Sequence, residues 1–388
     1  MKPVRPGVEG FLTEKKWRGP RLGLIAHAAS VRPDLTPTAL ALQRAGFRLT
    51  ALFAPEHGLA AALQDQAPVQ GARDKATGLP LFSLYGKTLA PTPSMLDKID
   101  AMVFDLQDIG VRYYTFVWTL ALALEACARA KKPFLVLDRP NPLGGRTDGN
   151  LPNPDHLSFV GLHPVPVLHG LTAGELALWL NATRGWGADL RVFPATGWRR
   201  NQRFDATGLP WVLPSPNMPT LETASVYGGA CLFEATNLSE GRGTTRPFEI
   251  LGAPFLDGDA WARALARHAL PGVAFRPLVF RPTFNKWAGR LCGGVQTHVT
   301  DWSAFSPFLT GVALLHTARR LAPRQFRWSP PPYEYERVKR PIDILTGSPA
   351  VRRAVDGGAS LNDLAAPWAA QRAMFRAAVA PFRLYKSI

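Results

Sequence analysis

The 388-residue sequence lacks the short motifs that mark several large enzyme classes. It contains no Gly-x-Gly-x-x-Gly fingerprint, no phosphate loop ending in Gly-Lys-Ser or Gly-Lys-Thr, no His-Glu-x-x-His and no Gly-x-Ser-x-Gly. These motifs provide, in that order, dinucleotide binding, nucleoside triphosphate binding, a zinc peptidase site and an α/β-hydrolase nucleophile. Their absence argues against enzymes of those four kinds.

Cysteine and long apolar segments are also scarce. The three cysteines, Cys127, Cys231 and Cys292, are not spaced as a metal knuckle, so we expect free thiols in packed positions. No segment approaches the ~20 consecutive apolar residues that cross a bilayer. The basic N-terminal residues are followed by Lys15 and Lys16 rather than by an apolar stretch, so neither a secretion signal nor a membrane partner is predicted. We expect a cytoplasmic protein.

Long runs of one charge are absent although the chain is strongly basic. Lysine and arginine number 45 against 29 acidic residues, which gives a formal net charge of +16. An excess of this kind suits nucleic acids, anionic surfaces or anionic small substrates. The densest clusters, 198–200 and 337–340, contain no five consecutive like charges, and the other basic residues are dispersed. This dispersal argues against dedicated nucleic-acid binding.

Short apolar runs alternate with helix-like segments in the first half of the chain. The runs cover residues 21–27, 48–53, 101–105 and 134–137. Segment 115–130 carries apolar residues at helical spacing, and Thr172 with Glu175 has the capping-box spacing that begins a further helix. This alternation predicts an α/β fold with a parallel sheet and right-handed crossovers.

The amino-acid composition changes near residue 190, where prolines and glycine-rich turns become frequent. Beyond it, apparent strands at 273–280 and 294–299 are mixed with a helix over 305–321, which is an α+β pattern. Two domains are also what the length suggests. We predict a parallel-sheet domain over 1–190 and a smaller α+β domain over 191–388.

Titratable and amide side chains follow three of the apolar runs directly. In an open parallel sheet the ligand crevice lies outside the carboxyl ends of the strands, so these groups are expected to converge there. The alternative is that some of them only cap helices and close turns. The residues are Glu56 and His57 after the second run, Asp105 and Asp108 after the third, and Asp138, Arg139 and Asn141 after the fourth.

A second polar group occupies the glycine-containing loop 234–249. Two carboxylates, an amide and two arginines lie within thirteen residues, and loops of this composition usually bind a ligand. They are Glu234, Asn237, Glu240, Arg242 and Arg246. Other candidates are Asn217 in a proline-rich turn, Lys286 beside a tryptophan, and Gln296 and His298 on one face of a strand.

A carboxylate-rich cleft with amides and arginines fits glycoside hydrolysis. That reaction needs a carboxylic acid to protonate the leaving oxygen and usually a second group that activates water or attacks the anomeric carbon. Amide and guanidinium donors suit acetamido and carboxylate substituents of a sugar. The alternatives are a surface ion pair for Glu249 and a core position for His298.

Eight longer stretches form an ordered set of motifs. They are Pro55–Gly58, Ser83–Gly86, Asp105–Thr115, Asp138–Pro142, Pro216–Pro219, Thr236–Glu249, Cys292–Gln296 and Pro341–Gly347. Together they resemble a bacterial family, formerly a domain of unknown function, that is associated with exo-β-N-acetylmuramidases of peptidoglycan turnover. The likeness runs from about residue 20 to the end of the chain.

The resemblance implies a Rossmann-like N-terminal domain, a smaller ancillary C-terminal domain and an active site in the cleft between them. It implies release of N-acetylmuramic acid (MurNAc) from the non-reducing end of peptidoglycan fragments such as MurNAc-GlcNAc, without metal, nucleotide or other cofactor. Glu56 matches the family glutamate that we assign as the main catalytic carboxylate.

The chain departs from the family pattern at two places. After Gly58 the family commonly has an Arg-Gly pair and an acidic segment, whereas this chain has Leu59–Leu63 and Gln64–Gln66. A glycine common before the Thr-Asn pair is Ala235 here. A sugar-binding protein without turnover, or one of altered specificity, is therefore the alternative reading.

Our working hypothesis gives the catalytic roles to five residues. Glu56 is the general acid. His57 and Tyr113 orient this acid or the sugar. Asp108 or Glu240 is the second carboxylate, and the sequence does not rank them.

Substrate contacts are assigned to the remaining candidates. Arg139, Arg242 or Arg246 is expected to bind the lactyl carboxylate of muramic acid, because a guanidinium can bind a carboxylate with two hydrogen bonds. The other expected substrate contacts are Asp105, Arg112, Asn141, Asn217, Glu234, Asn237, Lys286, Gln296 and His298.

Overall fold

A seven-stranded sheet forms the centre of the N-terminal half in the computed structural model, which describes residues 3–62 and 72–387. The strands are β1 (Leu22–Ala26), β2 (Leu49–Ala54), β3 (Ala72–Arg73), β4 (Pro80–Ser83), β5 (Ala101–Asp105), β6 (Phe134–Leu137) and β7 (Leu190–Phe193). Their order is β3-β4-β2-β1-β5-β6-β7, and every neighbouring pair is parallel except β3 with β4. The predicted α/β fold with a parallel sheet is confirmed.

Helices cover both faces of this sheet. They are α1 (Gly7–Phe11), α2 (Thr38–Arg44), α3 (Pro93–Leu96), α4 (Phe116–Arg129) and α5 (Ala173–Arg184). Leu24 of β1 lies in one apolar cluster with Val8 and Leu42, whereas its neighbour Ile25 lies in another with Leu120 of α4. Because successive strand residues face opposite sides, burial of both faces requires the unbroken apolar runs of the sequence.

A three-stranded antiparallel sheet lies in the second half, in the order β8-β10-β9. Its strands are β8 (Ile250–Ala253), β9 (Val273–Phe280) and β10 (Cys292–Val299). The helices are α6 (Leu221–Ala230), α7 (Gly258–Ala266), α8 (Pro307–Leu321), α9 (Pro341–Thr346), α10 (Ala350–Gly357), α11 (Leu361–Ala365) and α12 (Trp368–Val379). Within the described ranges, no helix combines the length and apolar character needed to span a membrane.

Helices α6 and α8 cross in close contact at two glycines. A Cβ atom on Gly229 would lie 2.0 Å from the Pro307 carbonyl oxygen, and one on Gly311 would lie 2.4 Å from the Gly229 carbonyl oxygen. Both distances are far below van der Waals contact. Only glycine therefore permits this crossing, which fixes α6 against the rest of the second half.

The C-terminal residues return to the N-terminal sheet. Phe375 of α12 packs against Trp179 of α5 with ring centres 5.7 Å apart. The Tyr385 hydroxyl donates to Asp138 Oδ2 at 2.6 Å and accepts from the Ala195 amide at 2.9 Å. The two halves are thus joined by the end of the chain, and the predicted boundary near residue 190 stays a prediction.

Candidate active site

A pocket lies between the loops at the carboxyl end of the parallel sheet and the second half of the chain. We call it the Glu56 pocket. From the N-terminal half it is lined by Glu56, His57, residues 113–116 and Val160. From the second half it is lined by Ser215, Asn217, Met218, Tyr227, Glu234, Arg242, Phe248, Tyr333 and Glu334.

Glu56 and His57 enter this pocket on a tight turn directly after β2. The Gly58 amide donates to the Pro55 carbonyl at 3.1 Å, and His57 adopts a φ of 68°. A left-handed conformation costs a non-glycine residue roughly 1–2 kcal/mol and is typical of functional sites. The Thr115 hydroxyl, at the start of α4, donates to Glu56 Oε2 at 2.7 Å, and Glu56 is only 6% exposed. The carboxyl group is thus held in one orientation and largely shielded from water.

A row of acidic and basic side chains forms the opposite wall. Arg242 Nη2 lies 2.6 Å from Glu234 Oε1, and Arg242 Nε lies 3.2 Å from Glu240 Oε1. Lys286 Nζ donates to Glu240 Oε2 at 2.9 Å, and the Tyr333 hydroxyl donates to Glu234 Oε2 at 2.6 Å. Burial alone would raise the pKa of Glu240, but Lys286 and Arg242 outweigh it and lower that pKa. Glu234 and Arg242 face the pocket. Glu240 and Lys286 lie behind them, and Glu240 holds the Arg242 guanidinium in place.

Aromatic rings complete the walls. The Tyr227 ring lies 4.8 Å from Phe248 and 5.9 Å from Tyr114. Burial raises the pKa of Tyr114, Tyr227 and Tyr333, so their phenol groups keep their protons. Apolar walls with a few convergent polar groups are typical of small-molecule sites.

Six of the residues predicted from the sequence line the Glu56 pocket. They are Glu56, His57, Tyr113, Asn217, Glu234 and Arg242. The Tyr113 hydroxyl, however, donates to the Gly228 carbonyl at 2.9 Å, so the ring lines the pocket while its polar atom binds α6.

Asp105 and Arg139 lie outside the pocket in a buried ion pair. Arg139 Nε lies 2.6 Å from Asp105 Oδ1, and its Nη2 lies 2.9 Å from Oδ2. The Thr38 hydroxyl also donates to Oδ2 at 2.5 Å. Asp105 is fully buried. These contacts engage both oxygens of the Asp105 carboxylate, and Arg139 lines a separate cavity.

Three further predicted residues hold the main chain together. Arg112 is buried and donates to three carbonyl oxygens at 2.7 to 3.0 Å, and burial lowers its pKa to about 10. The Asn141 side chain binds two main-chain groups at 2.9 Å each. Asp108 Oδ2 accepts from the Gly110 amide at 2.6 Å and lies 3.5 Å from His169 Nε2. These groups lie outside the Glu56 pocket.

The other candidates of the second half also lie outside it. Asn237 binds main-chain groups of the loop before residue 328, and Arg246 Nη1 lies 3.4 Å from Glu249 Oε2. Gln296 and His298 are both on β10, and His298 lines a separate cavity. Lys286 and Glu240 support Arg242 from behind, as described above. Roles for these residues in substrate binding stay predictions.

The sequence analysis missed one of the three carboxyl groups of the pocket. Glu334 lies in the run Tyr333–Glu336, directly after three prolines. This alternation of aromatic and acidic residues was the available signal. Thr115, which binds Glu56, ends a motif that the sequence analysis singled out without giving that residue a role.

The pocket has the chemical groups that hydrolysis of a glycosidic bond requires. Glu56, Glu234 and Glu334 face it together with a guanidinium and an amide. One buried carboxylic acid and a second carboxylate are the usual minimum for that reaction. In the part of the chain that the structure describes, no group of three His, Cys, Asp or Glu side chains is placed to hold a metal ion. The groups that line the pocket are those expected of a glycosidase.

Comparison with known proteins identifies the family. The model of the N-terminal part of the exo-β-N-acetylmuramidase NamZ matches residues 22–222, and that of its C-terminal part matches residues 225–385. The chain is 42% identical over 365 residues to the peptidoglycan β-N-acetylmuramidase NamZ of Bacillus subtilis (strain 168). The aligned region covers 93% of this chain and 86% of that protein. The chain therefore belongs to the exo-β-N-acetylmuramidase family, as the sequence motifs predicted.

Two crystal structures of DUF1343 family proteins from Bacteroides fragilis NCTC 9343 have the same fold. One superposes with a TM-score of 0.89 at 33% identity and covers all of both chains. The other has a TM-score of 0.79 at 27% identity and covers 99% of both chains. The predicted architecture, a Rossmann-like sheet with a smaller second domain, is confirmed.

The described residues of the two departures from the family pattern follow residues that line the Glu56 pocket. Leu59 packs on the apolar cluster beneath β2, whereas Leu63 and Gln64–Gln66 lie outside the described residues. Ala235 is fully buried, and its carbonyl accepts from the Ser329 amide at 2.8 Å. The alanine is thus a packed position beside Glu234.

Proposed function

We propose that this protein hydrolyses the β-glycosidic bond of MurNAc at the non-reducing end of peptidoglycan fragments such as MurNAc-GlcNAc, within the Glu56 pocket. Membership of the exo-β-N-acetylmuramidase family supports this proposal. So does the convergence of three carboxyl groups on one aromatic pocket, which is the observation that carries it. The cytoplasm as the place of the reaction stays a prediction from the sequence.

Glu56 acts as the general acid in this proposal. Its Oε2 is fixed by the Thr115 hydroxyl, and the surrounding aromatic residues exclude most water. A positioned acid of this kind contributes typically 10²–10⁴-fold to the rate. The turn that carries Glu56 begins at the end of β2, so the rigid sheet sets its position.

Glu234 is the second carboxylate that the pocket supports best. The sequence hypothesis named Asp108 or Glu240, but neither of them lines the Glu56 pocket. Glu234 does, and its oxygens are oriented by Arg242 and Tyr333. These two contacts hold the Glu234 carboxylate in a fixed orientation at the pocket.

The other polar side chains that line the pocket bind the substrate in this proposal. Arg242, Asn217 and Glu234 are the predicted binding residues that line it, and the first two offer guanidinium and amide donors. A guanidinium suits the lactyl carboxylate that distinguishes muramic acid from glucosamine. Tyr227 and Phe248 offer apolar faces to the sugar ring.

A chromogenic β-muramide tests the proposal directly. The unmodified protein should release the chromophore, and Glu56→Gln should lose about 10²–10⁴-fold in kcat while keeping its fold. Glu222→Gln, at an exposed glutamate of α6, is the matched control and should keep full turnover. Binding of the muramide without chromophore release by the unmodified protein would instead identify a sugar-binding protein. Near-normal turnover by Glu56→Gln would refute the role of Glu56.

A further inference from the structure

The loop between β9 and β10, residues 281–291, lies behind the wall of the Glu56 pocket that carries Glu234 and Arg242. Lys286 of this loop makes three contacts with that wall. Its Nζ donates to Glu240 Oε2 at 2.9 Å, to the Phe233 carbonyl at 2.8 Å and to the Glu234 carbonyl at 3.4 Å. A lysine ammonium has three N–H donors, and three acceptors face it here. Lys286 is thus engaged behind the wall and does not line the pocket itself.

The main chain around Lys286 holds the ammonium in this position. Its two neighbours, Asn285 and Trp287, adopt left-handed φ values of 67° and 61°. Such conformations are costly for residues other than glycine and persist where surrounding contacts determine them. The Asn285 side chain accepts from the Lys286 amide at 2.7 Å, and the Trp287 indole donates to the Asn237 carbonyl at 2.6 Å. The loop is therefore fastened to the wall on both sides of the lysine.

Four charged side chains alternate in sign along this wall. Arg242 lies between two carboxylates, 2.6 Å from Glu234 and 3.2 Å from Glu240, and Lys286 lies 2.9 Å from the second of them. The formal charges of the four groups cancel. The side chains of Glu240 and Arg242 are only 3% and 6% exposed, so solvent and salt screen these charges little. Without Lys286, this row would carry a net negative charge beside the pocket.

A ligand carboxylate that approaches Arg242 is sensitive to this charge balance. Glu240 competes with such a ligand for the guanidinium and also repels it, because both are anions. Against burial, which raises the pKa of Glu240, Lys286 and Arg242 lower it, so this carboxyl group stays ionised beside the lysine. An uncharged sugar of the same shape is not repelled by Glu240. The presence of Lys286 therefore matters for anionic ligands in particular.

We propose that Lys286 is a positioning residue that neutralises Glu240, keeps it from competing with a substrate carboxylate for Arg242, and so sets the preference of the pocket for a carboxylated sugar over its uncharged counterpart. This inference rests on the proposed function, in which Arg242 binds the lactyl carboxylate of MurNAc. Lys286 acts through Glu240 and Arg242 and touches no substrate. The role differs from the direct substrate contact that the sequence analysis expected for this lysine.

Calorimetric titration with free MurNAc and with the methylamide of its lactyl carboxylate tests the proposal, because the two ligands differ in charge and little in shape. The unmodified protein should bind MurNAc about tenfold more tightly than the methylamide. Lys286→Met should weaken MurNAc binding about tenfold and change methylamide binding less than about twofold. Lys286→Arg should keep the preference, since it keeps the charge. Lys286→Met combined with Glu240→Gln should regain MurNAc binding, because the charge that the lysine neutralises is then gone.

Arg290→Met is the matched control on the same loop. Arg290 is exposed and its guanidinium lies 5.1 Å from the centre of the Trp287 ring, so removing this positive charge should change neither affinity by more than about twofold.

Three results would overturn the proposal. They are equal affinities of the unmodified protein for the two ligands, equal weakening of both ligands in Lys286→Met, and a double variant that does not regain MurNAc binding. If Lys286→Met does not fold, Lys286→Gln gives the same comparison, because its amide removes the charge and keeps an N–H donor. The titrations need no turnover, so they are separate from chromophore release by the unmodified protein, whose failure would instead refute the proposed function.

Discussion

Replacing Arg139 by methionine should destabilise the fold strongly and leave substrate affinity unchanged. The guanidinium makes two bonds, of 2.6 and 2.9 Å, to the fully buried carboxylate of Asp105. Without Arg139, Asp105 keeps the Thr38 hydroxyl as a side-chain donor. A nearly uncompensated charge then remains inside the sheet.

The magnitude follows from the burial of this pair. Removing one partner of a buried ion pair typically costs about 3–5 kcal/mol, because the other charge stays buried and unneutralised. Removing both charges is far less costly, and a hydrophobic replacement of similar volume is often close to neutral. We therefore expect Asp105→Leu combined with Arg139→Met to recover the loss except for about 1–3 kcal/mol, which is the cost of the Thr38 hydroxyl left without its partner.

Urea unfolding measures the loss of stability, and steady-state kinetics on the β-muramide measure whether KM is unchanged. Arg129→Met is the matched control, because Arg129 is exposed on α4, with its Nη1 3.3 Å from Glu125 Oε1. Such a surface pair contributes about 0–1 kcal/mol. An Arg139→Met protein with unfolding free energy within about 1 kcal/mol of the unmodified protein, but with a strongly raised KM, would refute our reasoning. It would restore Arg139 as a ligand for the lactyl carboxylate.

Three further outcomes can be measured on the same purified protein. Burial raises the pKa of Asp138 from 3.8 to about 6, so its contribution to stability is complete below about pH 3.8 and is lost as pH rises through about 6. This is worth roughly 3 kcal/mol, and urea unfolding across pH 4 to 7 should show a flatter dependence in Asp138→Asn. Gly311→Ala should cost about 1–3 kcal/mol or more, because its Cβ would lie 2.4 Å from the Gly229 carbonyl; a melting temperature equal to that of the unmodified protein would contradict the close crossing. Tyr113→Phe should cost about 1–3 kcal/mol through the unsatisfied Gly228 carbonyl and keep kcat, whereas a large loss of kcat would support the orienting role predicted from the sequence.

The local sequence was sufficient to predict the alternating strands and helices of the N-terminal half. The strands β1, β5 and β6 are unbroken apolar runs because both faces of the sheet are covered, and Thr172 with Glu175 forms the predicted capping box at α5. Helix α6 was not predicted. Nearly all of its residues are buried and three of its ten residues are Gly or Ala at its C-terminal end, so it has no polar face and no helical period to detect.

Only part of the candidate site was predictable, because contacts between residues far apart in the sequence decide which side chains reach it. Glu56 and Asp105 both stand at the carboxyl end of a buried strand, so their local patterns are equivalent. Their environments differ because Asp105 is paired with Thr38 and Arg139, which are 67 and 34 positions away in sequence. Glu334 was missed for the same reason, since its partner Tyr85 is 249 positions away. A strand-end pattern identifies candidates, and long-range partners decide which of them face a ligand.

The Glu56 pocket lies near the end of β2 and not at the point where the strand order reverses. In an open parallel sheet, ligands usually bind where the strand order reverses, which is between β1 and β5 in this protein. The Asp105–Arg139 ion pair lies at the end of β5 and lines no part of the Glu56 pocket. At the end of β2 Glu56 leaves the sheet, and the second half supplies Glu234 and Glu334 to the same pocket. Since the sheet provides the acid and the second half provides the other two carboxylates, catalysis by this chain should require both halves in contact.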